Sequence, residues 1–371
     1  MEITVKKEEI VSALFTTLGV VEKKQTLPIL ANVLFEADEN SFKLTATDLE
    51  SEVTTSGPLS GVQSPGKTTT SAQKLNELCR LIPDGEDINI TLTGDKLNLK
   101  TTNGKYSLST LPSAEFPIFD IDSGNSPLII PAQELRELIT NTSFAMGNGD
   151  WRHYFNGLFF SIESGQITVA ATDAHRLAVA NLSTTSEHTF SGVVPRKSIN
   201  EIAKFLSDKN GNAELKINDA SLELVVGNLV FKSKLIDGKF PSYQQVIPSG
   251  ESSVLEINIK DFSDTLSRVS VFSGKNLMSK EKYKGIRLII SSEGIRISAR
   301  NPLQEEAEEF FPAAYKGEEL DIHFNVTYLQ EIMSHIKTDT CHINLFGSDK
   351  SCLITAPDTD SPQYILMPLL I

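Results

Sequence analysis

The sequence predicts an α+β chain of three similar domains in tandem, each with two helices and about eight antiparallel strands. Three observations predict it. First, a Thr-Asp phrase follows a strand-like run twice, at Leu44-Thr45-Ala46-Thr47-Asp48-Leu49-Glu50 and at Ala171-Thr172-Asp173-Ala174-His175-Arg176-Leu177, with a weaker echo at Ile297-Ser298-Ala299-Arg300-Asn301. Ala46, Ala171 and Ala299 are offset by 125 and 128 residues, and a third of the chain is about 124 residues. Second, Asn32, Gly157 and Gly285 each stand 15 residues before Thr47, Thr172 and Arg300, and each opens an apolar run (Val33-Leu34-Phe35, Leu158-Phe159-Phe160, Ile286-Arg287-Leu288-Ile289-Ile290). Third, each part reads helix, strands, helix, strands, which is an α+β order and not an alternating βα one. A period this long is that of a whole domain and exceeds that of solenoids and propellers. The domains are 1–124, 127–249 and 252–371, the first two more alike than either is to the third.

In the first domain Ile10, Val11, Leu14, Phe15 and Leu18 recur at helical spacing over residues 6–20. Two strand-like runs lead to the first Thr-Asp. A second helical stripe, Leu75, Leu78, Cys79 and Ile82, stops at Pro83-Asp84-Gly85. Alternating strands follow through Ile88–Leu92 and Lys96–Leu99, Asn103-Gly104 signals a hairpin turn, and Ser123-Gly124-Asn125-Ser126-Pro127 reads as a linker.

The second domain repeats the order. Pro131 opens a helix whose stripe is Leu135, Leu138, Ile139 and Thr142, and Pro195 opens another with Ile199, Ile202, Ala203 and Leu206. Strands lead to Asp237-Gly238-Lys239-Phe240-Pro241, and Pro248-Ser249-Gly250 forms the next boundary. In the third domain the stripes are Phe262, Leu266, Val269 and Val326, Leu329, Met333, Ile336. The chain closes in an apolar strand, Tyr364–Ile371, expected to be tucked against other structure because exposed it would invite aggregation.

A hydrophobic content of 40% and a charged content of 22% are ordinary for a soluble globular protein. There is no apolar run long enough for a membrane helix and no apolar signal core at the N-terminus. Three cysteines without a CxxC argue against a disulfide framework and a zinc knuckle, so a reducing cytoplasm fits best. The net charge of −14 opposes tight wrapping by nucleic acid. Basic residues on predicted helix faces (Lys6, Lys7, Lys74, Arg80, Arg196, Lys197, Lys204) are diluted by Glu8, Glu9, Glu77 and Glu201, the usual look of a solvated face.

Asp173 and His175, two apart at a strand end, could orient an imidazole for a hydrolase. No nucleophile motif accompanies them, and Asp48 repeats Asp173 with no histidine nearby. A recurring aspartate of this kind is more simply a turn residue that satisfies backbone amides. The six histidines show no metal-ligand spacing, no Gly-rich phosphate loop occurs, and the Glu305–Glu309 run lacks calcium-loop spacing and reads as a solvated strand face. No cofactor or metal is expected. His175, Arg176 and Leu177, with Arg152, Phe155 and Met367-Pro368-Leu369, mix apolar and polar groups either as a pocket for a short peptide or as a packed seam between domains.

Thr26-Leu27-Pro28-Ile29-Leu30, Thr47-Asp48-Leu49-Glu50, Ala171–Leu177, Val194-Pro195-Arg196-Lys197, Asp237-Gly238-Lys239-Phe240-Pro241-Ser242-Tyr243 and Met367-Pro368 together resemble the bacterial DNA polymerase III β subunit family, the sliding clamps. The matches are ordered and span the chain. The resemblance implies a non-catalytic scaffold: a head-to-tail homodimeric ring with helices lining the hole and strands outside, encircling duplex DNA without sequence preference. The ring would be placed by a clamp loader and would tether the replicative polymerase, repair polymerases and other clamp-motif proteins. Such a ring must not grip its track. Strong phosphate neutralisation would hold it in place by counterion release, whereas topology supplies retention, so an acidic chain suits the role.

By resemblance the DNA contacts are Lys24, Arg80, Arg196 and Lys197. The partner-peptide groove is Arg152, Phe155, Thr172, His175, Arg176, Leu177, Pro241, Val246, Ser351, Ile365, Leu366, Met367, Pro368 and Leu369. The dimer contact joins the edge strand around Tyr106 and Leu108 to the helix end at Val271 and Phe272 of a second copy. Ala174 stands where the family often has glycine, and Leu370 where it commonly has arginine.

Overall fold

The computed structural model describes residues 1–21, 27–119, 126–186, 189–207, 210–274 and 285–370. Among them are six α-helices: α1 (Lys7–Thr17), α2 (Ala72–Leu81), α3 (Ala132–Thr142), α4 (Arg196–Phe205), α5 (Ile259–Ser270) and α6 (Val326–His335). Each begins directly after a strand. Side chains satisfy the first free amides of three of them: Ser71 Oγ accepts from Lys74 N–H, Asn258 Oδ1 from Asp261 N–H and Asn325 Oδ1 from Thr327 N–H. Pro131 and Pro195, expected as first helical residues, instead close the strands Leu128–Pro131 and Phe190–Pro195, and the helices start one residue later. The free amides of a first turn leave that boundary loosely specified.

The predicted stripes face the core. Leu135, Leu138, Ile139 and Thr142 of α3 are buried, as are Phe262, Leu266 and Val269 of α5 and Val326, Leu329 and Met333 of α6. The exception is Phe15, 79% exposed on α1. That helix buries Ile10, Ala13, Leu14 and Thr17, spaced i, i+3, i+4, i+7, and Phe15 lies a further 100° or so round the helix from Leu14.

Strand pairing divides the chain into two compact units, Met1–Arg136 with Lys197–Leu235, and Glu137–Arg196 with Ile236–Ile371. The first unit holds one 13-stranded sheet. Within it the meander Gly66–Ser71, Asn32–Ala37, Ser41–Thr47, Ser51–Pro58 continues into Leu229–Lys234, Ser221–Val226, Asn212–Ile217 and Leu128–Pro131, through the register Leu229↔Thr55 to Ser233↔Ser51. One core cluster packs α1 and α2 on strand residues such as Ile3, Val5, Phe35, Phe42, Leu44, Ile88 and Leu97.

The second unit repeats the device. The meander Phe190–Pro195, Gly157–Glu163, Gln166–Thr172, Arg176–Ser183 continues into Gln363–Leu366, Cys352–Thr355, Thr340–Leu345 and Ser253–Asn258, with Arg176↔Leu366 to Val179↔Gln363 in register. A separate four-stranded sheet orders Glu306–Phe311, Gly294–Arg300, Gly285–Ser291 and Leu320–Asn325. The middle sequence repeat thus contributes one sheet half to each unit. The apolar C-terminus is a strand only to Leu366. Beyond it Met367 is hydrogen-bonded to the His175 carbonyl and Pro368 and Leu369 are half-buried, as expected of a tucked segment, while Leu370 is 83% exposed. Of the predicted linker, Ser123, Gly124 and Asn125 lie outside the described residues.

Candidate functional site

The Thr-Asp phrase builds the same turn twice, and its echo at Asn301 builds one that is a residue longer. Asp48 Oδ1 accepts from the backbone N–H groups of Glu50 (3.0 Å) and Ser51 (2.6 Å), and Thr47 Oγ1 donates to Ser51 O. Asp173 Oδ1 accepts from His175 N–H (3.0 Å) and Arg176 N–H (3.1 Å), and Thr172 Oγ1 donates to Arg176 O. Asn301 Oδ1 does the same for Leu303 and Glu305, one residue further on. The aspartates are turn residues, as their recurrence predicted. Leu49 (φ 74°) and Ala174 (φ 75°) follow them in the left-handed region that favours glycine. The Asp173–His175 dyad of the hydrolase reading does not form: Asp173 bonds the histidine's backbone, and the exposed imidazole stacks on Tyr328, ring centres 6.3 Å apart.

Arg176 fixes this turn to its surroundings. Its Nε donates to Asp173 Oδ2 (3.1 Å), one terminal nitrogen donates to Glu331 and the other to Phe144 O (2.9 Å). Its guanidinium lies over Tyr328 at 4.4 Å and Phe144 at 5.2 Å, and the residue is only 8% exposed. Burial, and then the negative charge of Asp173, push the Tyr328 phenol above its ordinary range.

Beside the turn is a cavity of about 180 Å³ lined by Phe155, Thr172, Ala174, Arg176, Leu177, Pro241, Ser242, Tyr243, Val246, Ile365 and Met367. Its floor belongs to a core cluster of Phe155, Ala170, Leu177, Val179, Val193, Phe240 and Ile365. Eight of the fourteen predicted groove residues line it. Of the rest, Arg152 stacks on Phe155 at 4.4 Å. His175 sits on the turn, and its carbonyl accepts Met367 N–H at 3.0 Å. Leu366 is buried in the sheet, paired with Arg176 and Cys352. Ser351 precedes the strand Cys352–Thr355 and does not line the cavity. Pro368 and Leu369 are half-buried past it, with Leu369 N–H donating to His323 O at 2.8 Å. Ser242 and Tyr243 were missed as lining residues. Their signal was their place in the Asp237–Tyr243 phrase, between Pro241 and Val246.

The loop before Phe155 is tied from several sides. Gly147 N–H donates to Phe155 O (2.7 Å), and Arg196 Nη1 donates to Met146 O (2.9 Å) and Gly147 O (3.2 Å). Hydrogen bonds from Arg152 hold the Asp150 carboxyl down to about 2.

Of the predicted DNA contacts, Arg80 is exposed in the last turn of α2, and Arg196 is half-buried on the carbonyls just described. Lys197 is exposed and paired with Asp48 at 2.5 Å, while Lys24 lies outside the described residues. Burial tends to raise the Asp48 carboxyl, but Lys197 and the amides of Ser51 and Glu50 outweigh it and hold it below the usual range. Tyr106 is exposed and Leu108 half-buried on Lys105–Leu111, a strand whose pairing to Gly66–Ser71 covers only Thr110 and Leu111. The segment near Tyr106 therefore has a neighbour on one side only among the described residues. Val271 is 76% exposed just past α5, and Phe272 is half-buried. Among the described residues there is no cluster of three or more His, Cys, Asp or Glu suited to a metal ion, and no helix long and apolar enough to cross a membrane.

Comparison with known proteins gives a consistent result along the whole length. Models of the DNA polymerase III beta subunit match in order: the N-terminal domain over residues 1–120, the central domain over 129–242 and the C-terminal domain over 244–370. The beta sliding clamp of Pseudomonas aeruginosa is 36% identical over 371 residues, covering all of both chains. A crystal structure of the DNA polymerase III subunit beta from that organism superposes with a TM-score of 0.96 at 36% identity, again over 100% of each chain. A sliding clamp from Pseudomonas aeruginosa bound to griselimycin superposes with a TM-score of 0.95.

Proposed function

This chain belongs to the DNA polymerase III beta subunit family, and from that membership we propose that the cavity beside the Asp173 turn is the groove in which it holds its partners. The protein is a DNA sliding clamp of replication and not an enzyme. In our reading its three repeats, 1–124, 127–249 and 252–371, form half of a head-to-tail homodimeric ring around duplex DNA in the cytoplasm. The replicative polymerase, the clamp loader and repair polymerases would dock through short segments carrying a glutamine and apolar side chains.

The observation that supports the groove is convergence. Phe155, the turn from Thr172 to Leu177, the segment Pro241–Val246, and Ile365 with Met367 come from four separate parts of the chain and surround one apolar hollow. Such a hollow binds by burying two or three side chains, while the few polar groups at its edge orient the backbone. Around DNA, a chain of net charge −14 needs only a few cations, and Lys24, Arg80, Arg196 and Lys197 are our candidates. Their contacts would be to phosphates, so they would be salt-sensitive and blind to sequence.

A labelled peptide with a Gln-x-x-Leu-Phe core, titrated into the intact chain and into one ending at Leu366, tests the groove. Saturable binding that is lost on truncation is the expected result. Equal binding by both chains would move the site elsewhere. The ring is tested by retention on circular DNA after loading and release when that DNA is linearised.

A further inference from the structure

The chain's single tryptophan, Trp151, is 82% exposed, an uncommon setting for a side chain that normally buries much of its large apolar surface. It stands on the loop at the cavity's rim, and that loop is rigidly built. Asn156 Oδ1 accepts Asp150 N–H at 2.9 Å, and Asn156 Nδ2 donates to Asp150 O at 2.7 Å. The Asp150 carboxylate grips Arg152 with both oxygens, Nε at 3.0 Å and Nη2 at 2.8 Å. The Arg152 guanidinium in turn lies 5.6 Å from the Trp151 ring centre and 4.4 Å from that of Phe155, which is a wall of the cavity. Indole, guanidinium and phenyl ring form one stack leading from solvent to the cavity.

We propose that Trp151 is an added recognition site at the groove's rim, taking an aromatic or large aliphatic side chain of the partner segment that flanks the residues seated in the cavity. This rests on the peptide-groove reading. A hollow of about 180 Å³ accommodates only a few side chains, so a bound segment must run out across the rim. Asp150 already neutralises Arg152, which leaves the stack an uncharged aromatic surface to a passing residue and argues against an acidic one. The loop is ordered before binding, and an indole has few rotatable bonds, so little entropy is lost when it is covered.

The test uses the full chain and peptides of one Gln-x-x-Leu-Phe core, with Phe, Glu or Ala placed just before or just after it, titrated into wild type, Trp151→Ala and Trp151→Phe. A flanking Phe on one side should tighten binding to wild type by about 3- to 10-fold, the range of one aromatic pair. Trp151→Ala should abolish that gain, Trp151→Phe should keep most of it, and tryptophan emission should shift only with that peptide. The same gain in Trp151→Ala, no gain from Phe at either flank, or a gain from Glu and not from Phe would each overturn the rim site while leaving the groove intact. Failure of every peptide to bind wild type would overturn the groove reading and the rim site with it.

Discussion

Arg176 makes the sharpest prediction. It lines the cavity, yet its charge is spent within the protein: on Asp173, on Glu331, on the Phe144 carbonyl, and on the faces of Tyr328 and Phe144. Replacing it with methionine fills similar space but strands the Asp173 carboxylate and the Phe144 carbonyl. Breaking a buried pair in this way costs about 3–5 kcal/mol. Glu331 is 44% exposed, so water recovers part of its share and the lower half of that range is expected. Arg176→Lys keeps the charge and loses the fork. An ammonium can meet only some of the three acceptors and stacks poorly, so about 2–3 kcal/mol should still be lost, at roughly 1.5 kcal/mol or more per charged hydrogen bond.

The assay is urea unfolding followed by far-ultraviolet circular dichroism, since Trp151, the one tryptophan, is already exposed in the folded chain. Both variants should lower the midpoint with little change in slope. They should also weaken the peptide, because the Thr172–Leu177 turn supplies several of the cavity's walls. A lysine variant within about 0.5 kcal/mol of wild type would show that charge alone suffices, and the geometric argument would fail. A methionine variant as stable as wild type would refute a structural cation altogether.

Three further outcomes follow from the same structure. The Asp48 carboxyl titrates below its ordinary value in the folded chain, so its contribution is present above an unfolded pKa of about 4 and is lost as pH falls through the folded value. Asp48→Asn should flatten that acid limb in urea midpoints taken from pH 7 to pH 3, and an unchanged limb would contradict it. The thiols of Cys79, Cys341 and Cys352 are buried and pushed up to about 12. A thiol reagent at pH 8 should therefore find almost none in the native chain and all three after denaturation. Val271→Ala with Phe272→Ala should shift the sedimenting species towards monomer, and an unchanged coefficient at nanomolar chain would count against that contact.

What the sequence made legible was whatever is periodic or repeated. The helical stripes from Leu135 to Thr142 and from Phe262 to Val269 report burial directly, because spacing on a helix is geometry. The role of Asp48 and Asp173 was readable because a residue that recurs without its supposed catalytic partner is better explained by backbone amides. The strand pairing that assigns half of the middle repeat to each unit was not legible. It depends on Leu229–Lys234 meeting Ser51–Pro58, a contact with no local signature. For the same reason the pair between Arg176 and Glu331, 155 residues apart, could not be seen. The exposure of Leu370 was not legible, because the terminal hydrophobicity runs on past Leu366, where the strand stops.

The three turns also explain why a repeat can mark a fold without marking a site. In each, one side-chain oxygen of Asp48, Asp173 or Asn301 holds two backbone amides, and this requirement is purely local. The second polar atom of the same side chain is left for whatever lies nearby. It meets Lys197 in the first copy, Arg176 in the second and Glu305 in the third. Only in the second does that neighbour line an apolar hollow, because Phe155, Pro241–Val246 and Met367 close around it. If the turn itself were the recognition element, replacing Asp173 by Asn would weaken the peptide as much as replacing Arg176. If the hollow is, Asp173→Asn should weaken it less than Arg176→Met does: Asn218 Oδ1 holds the i+2 and i+3 amides in the same way, and the variant loses only the Oδ2 bond to Arg176, whose bonds to Glu331 and the Phe144 carbonyl remain.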